Sequence, residues 1–191
     1  WALSERDNSD IWLNLNNRKI SLNRVSTVSI DLLSTKGLNS TIDLIKPDLI
    51  VHTAALTNVD YCERFPEKAI STNVDLSNTI SSVSSRHSIP LIYISTDHLF
   101  SGLIGYSDEK CIPSPVNIYA RTKVDGERIT LENDPYALIL RTNFFGWGPT
   151  YRTSFSDWII NNLRAFQSIT LFDNVFFTPV YVNELVKIAL S

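Results

Sequence analysis

The chain has 191 residues, 43% hydrophobic and 19% charged, with a formal net charge of −3. That is one ordinary domain, or one domain and part of another, with enough apolar material for a core. So mild a charge, without a basic stripe or an acidic tail, argues against nucleic acid as a partner, and no apolar run reaches the ~20 residues of a membrane helix.

Cys62 and Cys111 are the only cysteines; two thiols fit a reducing, cytoplasmic setting better than a disulfide scaffold. His52, His87 and His98 are scattered, and neither His-x-x-x-His nor Cys-x-x-Cys occurs, so no metal site is expected. The opening WALSERDNSD lacks the charged start and apolar middle of a signal peptide. Trp1 leads a sequence with no methionine, which reads as a trimmed or partial chain.

In chain order, DIWLNL (10–15) and VSTVSIDL (25–32) read as strands, and GLNSTIDLIK (37–46) as a helix with Leu38, Ile42 and Ile45 on one face. DLIVHTAA (48–55) is a compact apolar run of the kind that fills a strand covered on both faces. PEKAISTNVDLSNTISSVSSRH (66–87) opens with Pro66 and Glu67, as a helix does. Its many serines and threonines lower helix propensity, so packing has to hold it. PLIYISTDHLF (90–100) and YALILRTNFFG (136–146) are two more buried strands. Between them a helix over 115–131 is predicted, with Ser114 and Pro115 as cap and first turn. After Gly146 the pattern changes to a loop, a helix (155–166), a short strand SITLF and a last helix from Asn183. Strand and helix alternate at the spacing of right-handed βαβ units. This predicts an α/β fold with a Rossmann-like doubly wound parallel sheet (1–146) and the beginning of a small second lobe (147–191).

Three features carry chemistry. Tyr119 and Lys123 are four apart and share a helix face. An ammonium beside a phenol stabilises phenolate, and such a phenol can act as general acid toward a carbonyl. The same spacing also fits a partly buried tyrosine beside a lysine stretching to solvent. Ser95, Thr96 and Asp97 end the fourth strand, where ligands bind in open parallel sheets, although an Asp/Ser turn explains their polarity too. Ala54 and Ala55 follow the third strand, small enough for a flat ligand to reach the backbone or for close helix packing.

Taken together, PDLIVHTAALTNVDYCE, YISTDHLF, PVNIYARTKVDGE and LILRTNFFGWG resemble the extended short-chain dehydrogenase/reductase superfamily, and within it the dTDP-4-dehydrorhamnose reductase group. The resemblance covers roughly residues 25–185. It implies a nucleotide-binding Rossmann domain with a small substrate lobe, and hydride transfer from NADPH or NADH to the 4-keto group of a nucleotide-linked deoxysugar, as in dTDP-rhamnose biosynthesis. By resemblance Tyr119 is the general acid, Lys123 binds the nicotinamide ribose and tunes the tyrosine, and Thr96, with Ser95 beside it, orients the carbonyl. Asp31 matches the acid at the adenine edge, Ala54, Ala55 and Leu56 line the cofactor cleft, and Asp97 joins the substrate side. Arg141, Thr142, Asn143 and Phe144 match the segment between nicotinamide and sugar. A homodimer is also implied.

NNRK (16–19) has no acid for a ribose 2′-hydroxyl, while Arg18 or Lys19 could pair a 2′-phosphate, which leans toward NADP(H). A solvated basic turn explains the same residues. The glycine-rich first turn that would hold the pyrophosphate is missing. TNFFGWG also departs from the TSWVYG-like segment of the rhamnose-pathway enzymes, so the keto sugar stays open. Two other functions share the fold. Dehydratases carry Asp-Glu after the threonine, where this chain has Asp97 and His98, which counts against dehydration; an epimerase also stays open. A non-catalytic, dinucleotide-binding regulatory subunit is the reading from another class.

Overall fold

The computed structural model describes residues 9–15, 22–103, 105–148, 153–175 and 177–191. Two compact units divide between Arg141 and Thr142.

In the first unit, β1 (Ile11–Asn14) pairs with β2 (Val25–Val28), and β3 (Ile50–His52), β4 (Leu91–Ile94) and β5 (Leu138–Leu140) form a second sheet in that order. Every pairing is parallel, with Ile50 opposite Leu91 and Ile92 opposite Leu138. The fold is α/β and Rossmann-like, though its strands fall into separate sheets, because no described strand bridges the β1–β2 pair to β3–β5.

Helix α1 (Thr35–Ile45) starts at Ser34, whose hydroxyl accepts from Gly37 N at 3.2 Å. It ends at Lys46 in the left-handed region (φ 50°). Leu38 and Ile42 from its inner face join Leu76, Ile80, Val83, Leu91 and Ala137 in the main core. Each of the Leu, Ile and Val side chains contributes about 1.5–3 kcal/mol of transfer free energy.

The predicted helix over 66–87 is present, with a change of pitch inside it. α3 (Pro66–Ile70) passes through a π-helical stretch (Ser71–Asp75) into α4 (Leu76–His87). Its serines work as small packing residues. Ser77, Ser81 and Ser84 are buried, and their hydroxyls donate to Asn73 O, Ser77 O and Ile89 O at 2.8, 2.7 and 2.6 Å. Hydroxyls satisfied by backbone cost little to bury and let a neighbouring helix approach closely.

Some local expectations are corrected. The helix bearing Tyr119 is α5 (Ile118–Asn133), capped by Asn117 rather than Ser114: Asn117 Oδ1 accepts from Ala120 N at 2.7 Å. A short helix unforeseen in the sequence, α2 (Val59–Arg64), precedes α3 and is capped by Asn58. The apolar run 136–146 is not one strand. It breaks at Arg141–Thr142 into β5 and β6 (Asn143–Phe145), which lie in different units.

In the second unit β6 pairs with β7 (Pro179–Tyr181), in parallel, and α7 (Val182–Ala189) packs on the pair; α6 (Phe155–Arg164) belongs to the same unit. α6 has a full capping box: Ser154 Oγ accepts from Asp157 N at 3.1 Å, and Asp157 Oδ2 accepts from Ser154 N at 2.9 Å. SITLF forms no strand, and the pairing partner of β6 comes from Pro179–Tyr181 instead.

Candidate active site

Polar side chains gather where β4 ends. Ser95 N donates to Leu140 O at 2.8 Å, extending the ladder one residue past the strand, and Thr96 and Asp97 follow. Against this edge lies the first turn of α5. Its N-terminus is held twice, by the Asn117 cap and by Glu63 of α2, whose Oε1 accepts from Ile118 N at 2.7 Å. Both caps neutralise orphan helix donors and so set where Tyr119 begins.

Tyr119 is 8% exposed and packs with Cys62 and Ala69. Burial pushes its phenol above the ordinary range, while the Thr96 hydroxyl works the other way and favours the ionised form. Thr96 is itself fixed: its Oγ1 accepts from His98 N at 3.2 Å and lies 3.5 Å from Asp97 Oδ1. The His98 ring stands edge-on to Tyr119, with centroids 6.1 Å apart, and its Nε2 is 3.8 Å from Asp97 Oδ1.

Lys123, one turn on, is 2% exposed. Its Nζ donates to Ile94 O at 2.8 Å and sits 4.1 Å from the centroid of the Tyr93 ring. Burial lowers its pKa to about 8, against the pull of Glu127, which raises it. The expectation that the lysine makes the phenol unusually acidic is therefore corrected. Desolvation acts on both groups and pushes both toward neutral forms.

A buried asparagine that sequence reasoning passed over ties the parts together. Asn73, in the π-helical stretch, accepts from Leu56 N at 2.7 Å and donates to Leu56 O at 3.1 Å, pinning the loop after β3. Its amide also donates to Thr122 Oγ1 at 2.9 Å, and that hydroxyl donates to Tyr119 O at 2.8 Å. The loop and α5 thus share one hub. No sequence signal marks it, because its partners are 17 and 49 residues away. Below it His52 Nε2 meets Ser77 Oγ at 3.1 Å. Since Ser77 spends its proton on Asn73 O, the imidazole donates and is protonated at Nε2.

The remaining expected residues are dispersed. Ala54 is exposed and Ala55 and Leu56 half-buried, all on the loop after β3. Asp31 is exposed beyond β2, and its Oδ1 accepts from Leu33 N at 3.0 Å, bracing the turn into α1. Arg141, expected near the sugar, instead turns its guanidinium onto Glu127 of α5, at 3.1 Å from Nε and 2.8 Å from Nη2. Asn143 and Phe144 stand on β6 of the second unit, with Phe144 52% exposed. Arg18 lies outside the described residues.

These groups fit the nicotinamide–ribose end of a dinucleotide. Ser95 Oγ is buried without a hydrogen-bond partner, an arrangement that a ligand's polar group would complete. The Lys123 ammonium has three donors and Ile94 O takes one. The small side chains of Ala54 and Ala55 leave the β3 loop open to a flat ring. Among the described residues no cluster of three or more His, Cys, Asp or Glu could hold a metal, and no helix is long and apolar enough to cross a membrane.

The model of the family described as "RmlD substrate binding domain" matches residues 9–191. The "Probable low-salt glycan biosynthesis reductase Agl14" of Haloferax volcanii is 34% identical over 167 residues, 85% of this chain and 55% of that protein. "Methionine adenosyltransferase 2 subunit beta" of Pongo abelii is 38% identical over 112 residues, 59% of this chain and 34% of that protein. Among solved structures, dTDP-4-dehydrorhamnose reductase from Bacillus anthracis in complex with NADP superposes with a TM-score of 0.77 at 25% identity, over 87% of this chain and 61% of that one. The chain thus spans about half, or less, of the length of these curated relatives. With the family model matched along nearly its whole length, this chain belongs to the RmlD substrate-binding domain family of the extended short-chain dehydrogenase/reductase superfamily.

Proposed function

We propose that this protein is an NAD(P)H-dependent oxidoreductase that reduces the 4-keto group of a nucleotide-linked deoxysugar. The observation that carries the reading is the buried Tyr119 phenol beside the Thr96 hydroxyl just past β4, with the buried Lys123 one turn along the same helix, its ammonium on Ile94 O. A reduced nicotinamide, when bound, supplies the hydride to the carbonyl carbon. The protein's part is the proton and the field. Tyr119, kept protonated at neutral pH by burial, delivers its proton to the carbonyl oxygen, which Thr96 holds by a hydrogen bond. The phenolate left behind is stabilised by the Lys123 ammonium and by Thr96. Lys123 also offers its remaining donors to the ribose, and Ser95, Ala54, Ala55 and Leu56 line the cofactor cleft, with Asp31 at the adenine edge. Arg18 selects the 2′-phosphate of NADP(H). Asp97, Asn143 and Phe144 take the sugar side. Residues 1–146 make up the nucleotide-binding domain, with these sugar-side residues at its edge, those from 147 onward begin the substrate lobe, and the assembly is a homodimer.

The regulatory-subunit, epimerase and dehydratase readings are less well supported. The relative named a reductase matches 85% of this chain, whereas the subunit matches 59%. The test is to incubate the complete protein with NADPH and a dTDP-4-keto-6-deoxysugar and follow loss of reduced-nicotinamide absorbance. Turnover is expected, and Tyr119→Phe should lower it about 10²–10⁴-fold with cofactor affinity nearly intact. Cofactor binding without turnover would favour the regulatory reading.

A further inference from the structure

The catalytic helix carries a third ionisable residue at the same four-residue spacing. Glu127 follows Lys123 as Lys123 follows Tyr119, and it is 4% exposed. A carboxylate so deep needs a partner, and Arg141, at the end of β5, supplies a bidentate one: Nε is 3.1 Å from each carboxylate oxygen and Nη2 is 2.8 Å from Oε2. The guanidinium carbon in turn lies 5.8 Å from the centroid of the Phe100 ring. The carboxylate is thereby held in one orientation while Lys123, with only 2% exposure, has the Ile94 carbonyl and the Tyr93 ring as its neighbours.

We propose that Glu127 is a positioning residue that keeps Lys123 in its ammonium form, and that Arg141 sets the strength of that effect by sharing the carboxylate.

The charges around Lys123 decide the sign. On α5 it has Tyr119 and Glu127, on β4 the neutral Tyr93 phenol, on β3 the buried neutral His52, and beyond β5 the Arg141 cation acting through Glu127. Glu127 is the one anion in this set. Desolvation draws Lys123 toward its neutral amine, and Glu127 opposes that. Removing Glu127 alone leaves the buried ammonium without the carboxylate that opposes its desolvation, so Lys123 loses its proton more readily. Removing the Arg141 charge alone leaves the carboxylate to Lys123, which then holds its proton more tightly. A pair that merely braced α5 against β5 would give neither shift. The consequence for catalysis, a ribose-binding and phenolate-stabilising ammonium maintained near neutral pH, rests on the proposed reductase function, but the charge state of Lys123 does not.

The test is an NMR titration of the complete protein carrying isotope-labelled lysine, without cofactor, following the Lys123 side-chain signal identified by its loss in Lys123→Met. The unsubstituted protein should titrate near pH 8. In Glu127→Gln the midpoint should fall by about one pH unit, and in Arg141→Met it should rise by about as much, the range a neighbouring charge produces. Should Glu127→Gln fail to fold, Arg141→Met carries the prediction, with Arg141→Lys expected to restore a midpoint near that of the unsubstituted protein. Midpoints that stay together in all folded variants, or move in the same direction, would overturn the proposal. Absence of reductase turnover would count against the proposed function and leave this titration as it stands.

Discussion

At Tyr119 two influences of opposite sign meet in one side chain. Burial raises the phenol, and the Thr96 hydroxyl lowers it. For a proton donor the first is useful, since the group arrives protonated, while the second matters once the proton has left. Thr96→Val deletes the hydroxyl at nearly constant volume, so the phenolate loses its hydrogen-bonding partner and the carbonyl oxygen loses a donor. Turnover should fall about 10²-fold, the cost of one oxyanion-directed donor. Thr96→Ser, which keeps the hydroxyl, should recover most of the rate. Unchanged turnover in the valine variant would remove Thr96 from the chemistry.

At the scale of the element, α5 does its work only if it lies flush against β4 and the π-helical stretch, and Gly126 makes that approach possible. A Cβ at Gly126 would come within 2.5 Å of the Tyr93 hydroxyl and 2.6 Å of Asn73 O. The second contact is backbone, belonging to the residue that pins the Leu56 loop, so it cannot swing aside. Gly126→Ala adds helix propensity but overpacks this seam, with an expected net cost of about 1–3 kcal/mol. At roughly 2–4 °C per kcal/mol for a chain of this size, thermal unfolding should begin several degrees lower. Because the displaced parts are Asn73 and Tyr93, dinucleotide affinity should weaken too. A variant as stable as the parent would show that the seam has slack. The spacing of Tyr119 and Lys123 was legible in sequence because helix geometry is local. The cap at Asn117 was not, since Ser114–Pro115 offers an equally good local signal and the choice is made by Glu63 of α2, 55 residues from Ile118.

For the whole molecule, the order of strands and helices was readable because buried parallel strands are continuous apolar runs, as at 48–55 and 90–100. The break at Arg141–Thr142 was not, because LILRTNFF is apolar on both sides and only the Arg141–Glu127 pair shows where the first unit stops. The hub at Asn73 and the glycine seam likewise depend on tertiary neighbours that periodicity cannot report. Buried ionisable groups of this kind leave a global signature in the dependence of stability on pH. His52, buried beside Ser77 and facing the Lys123 charge, has its pKa lowered to about 3. Between about pH 3 and 6.5 the unfolded chain therefore binds a proton that the folded one does not, and stability must fall as pH drops below 6.5, by up to about 1.4 kcal/mol per unit. On the alkaline side Lys123, lowered to about 8, has the same sign: from pH 8 upward the unfolded chain holds the extra proton, so stability rises with pH. That rise is limited, because Cys62, Tyr119 and Tyr93, all raised by burial, make the unfolded chain the better acid at higher pH and turn the curve down. Denaturant unfolding across this range should show a loss below pH 6.5, a plateau, a small shoulder beginning near pH 8, and then a decline at higher pH. His52→Gln keeps a donor for Ser77 but cannot titrate, so it should flatten the acid limb from pH 6.5 to about 4 and leave the shoulder. Lys123→Met should remove the shoulder and leave the acid limb. An acid limb of unchanged slope in His52→Gln would mean that its protonation is absorbed without opening the fold, and that the polar seam beneath the site is less closed than its burial implies.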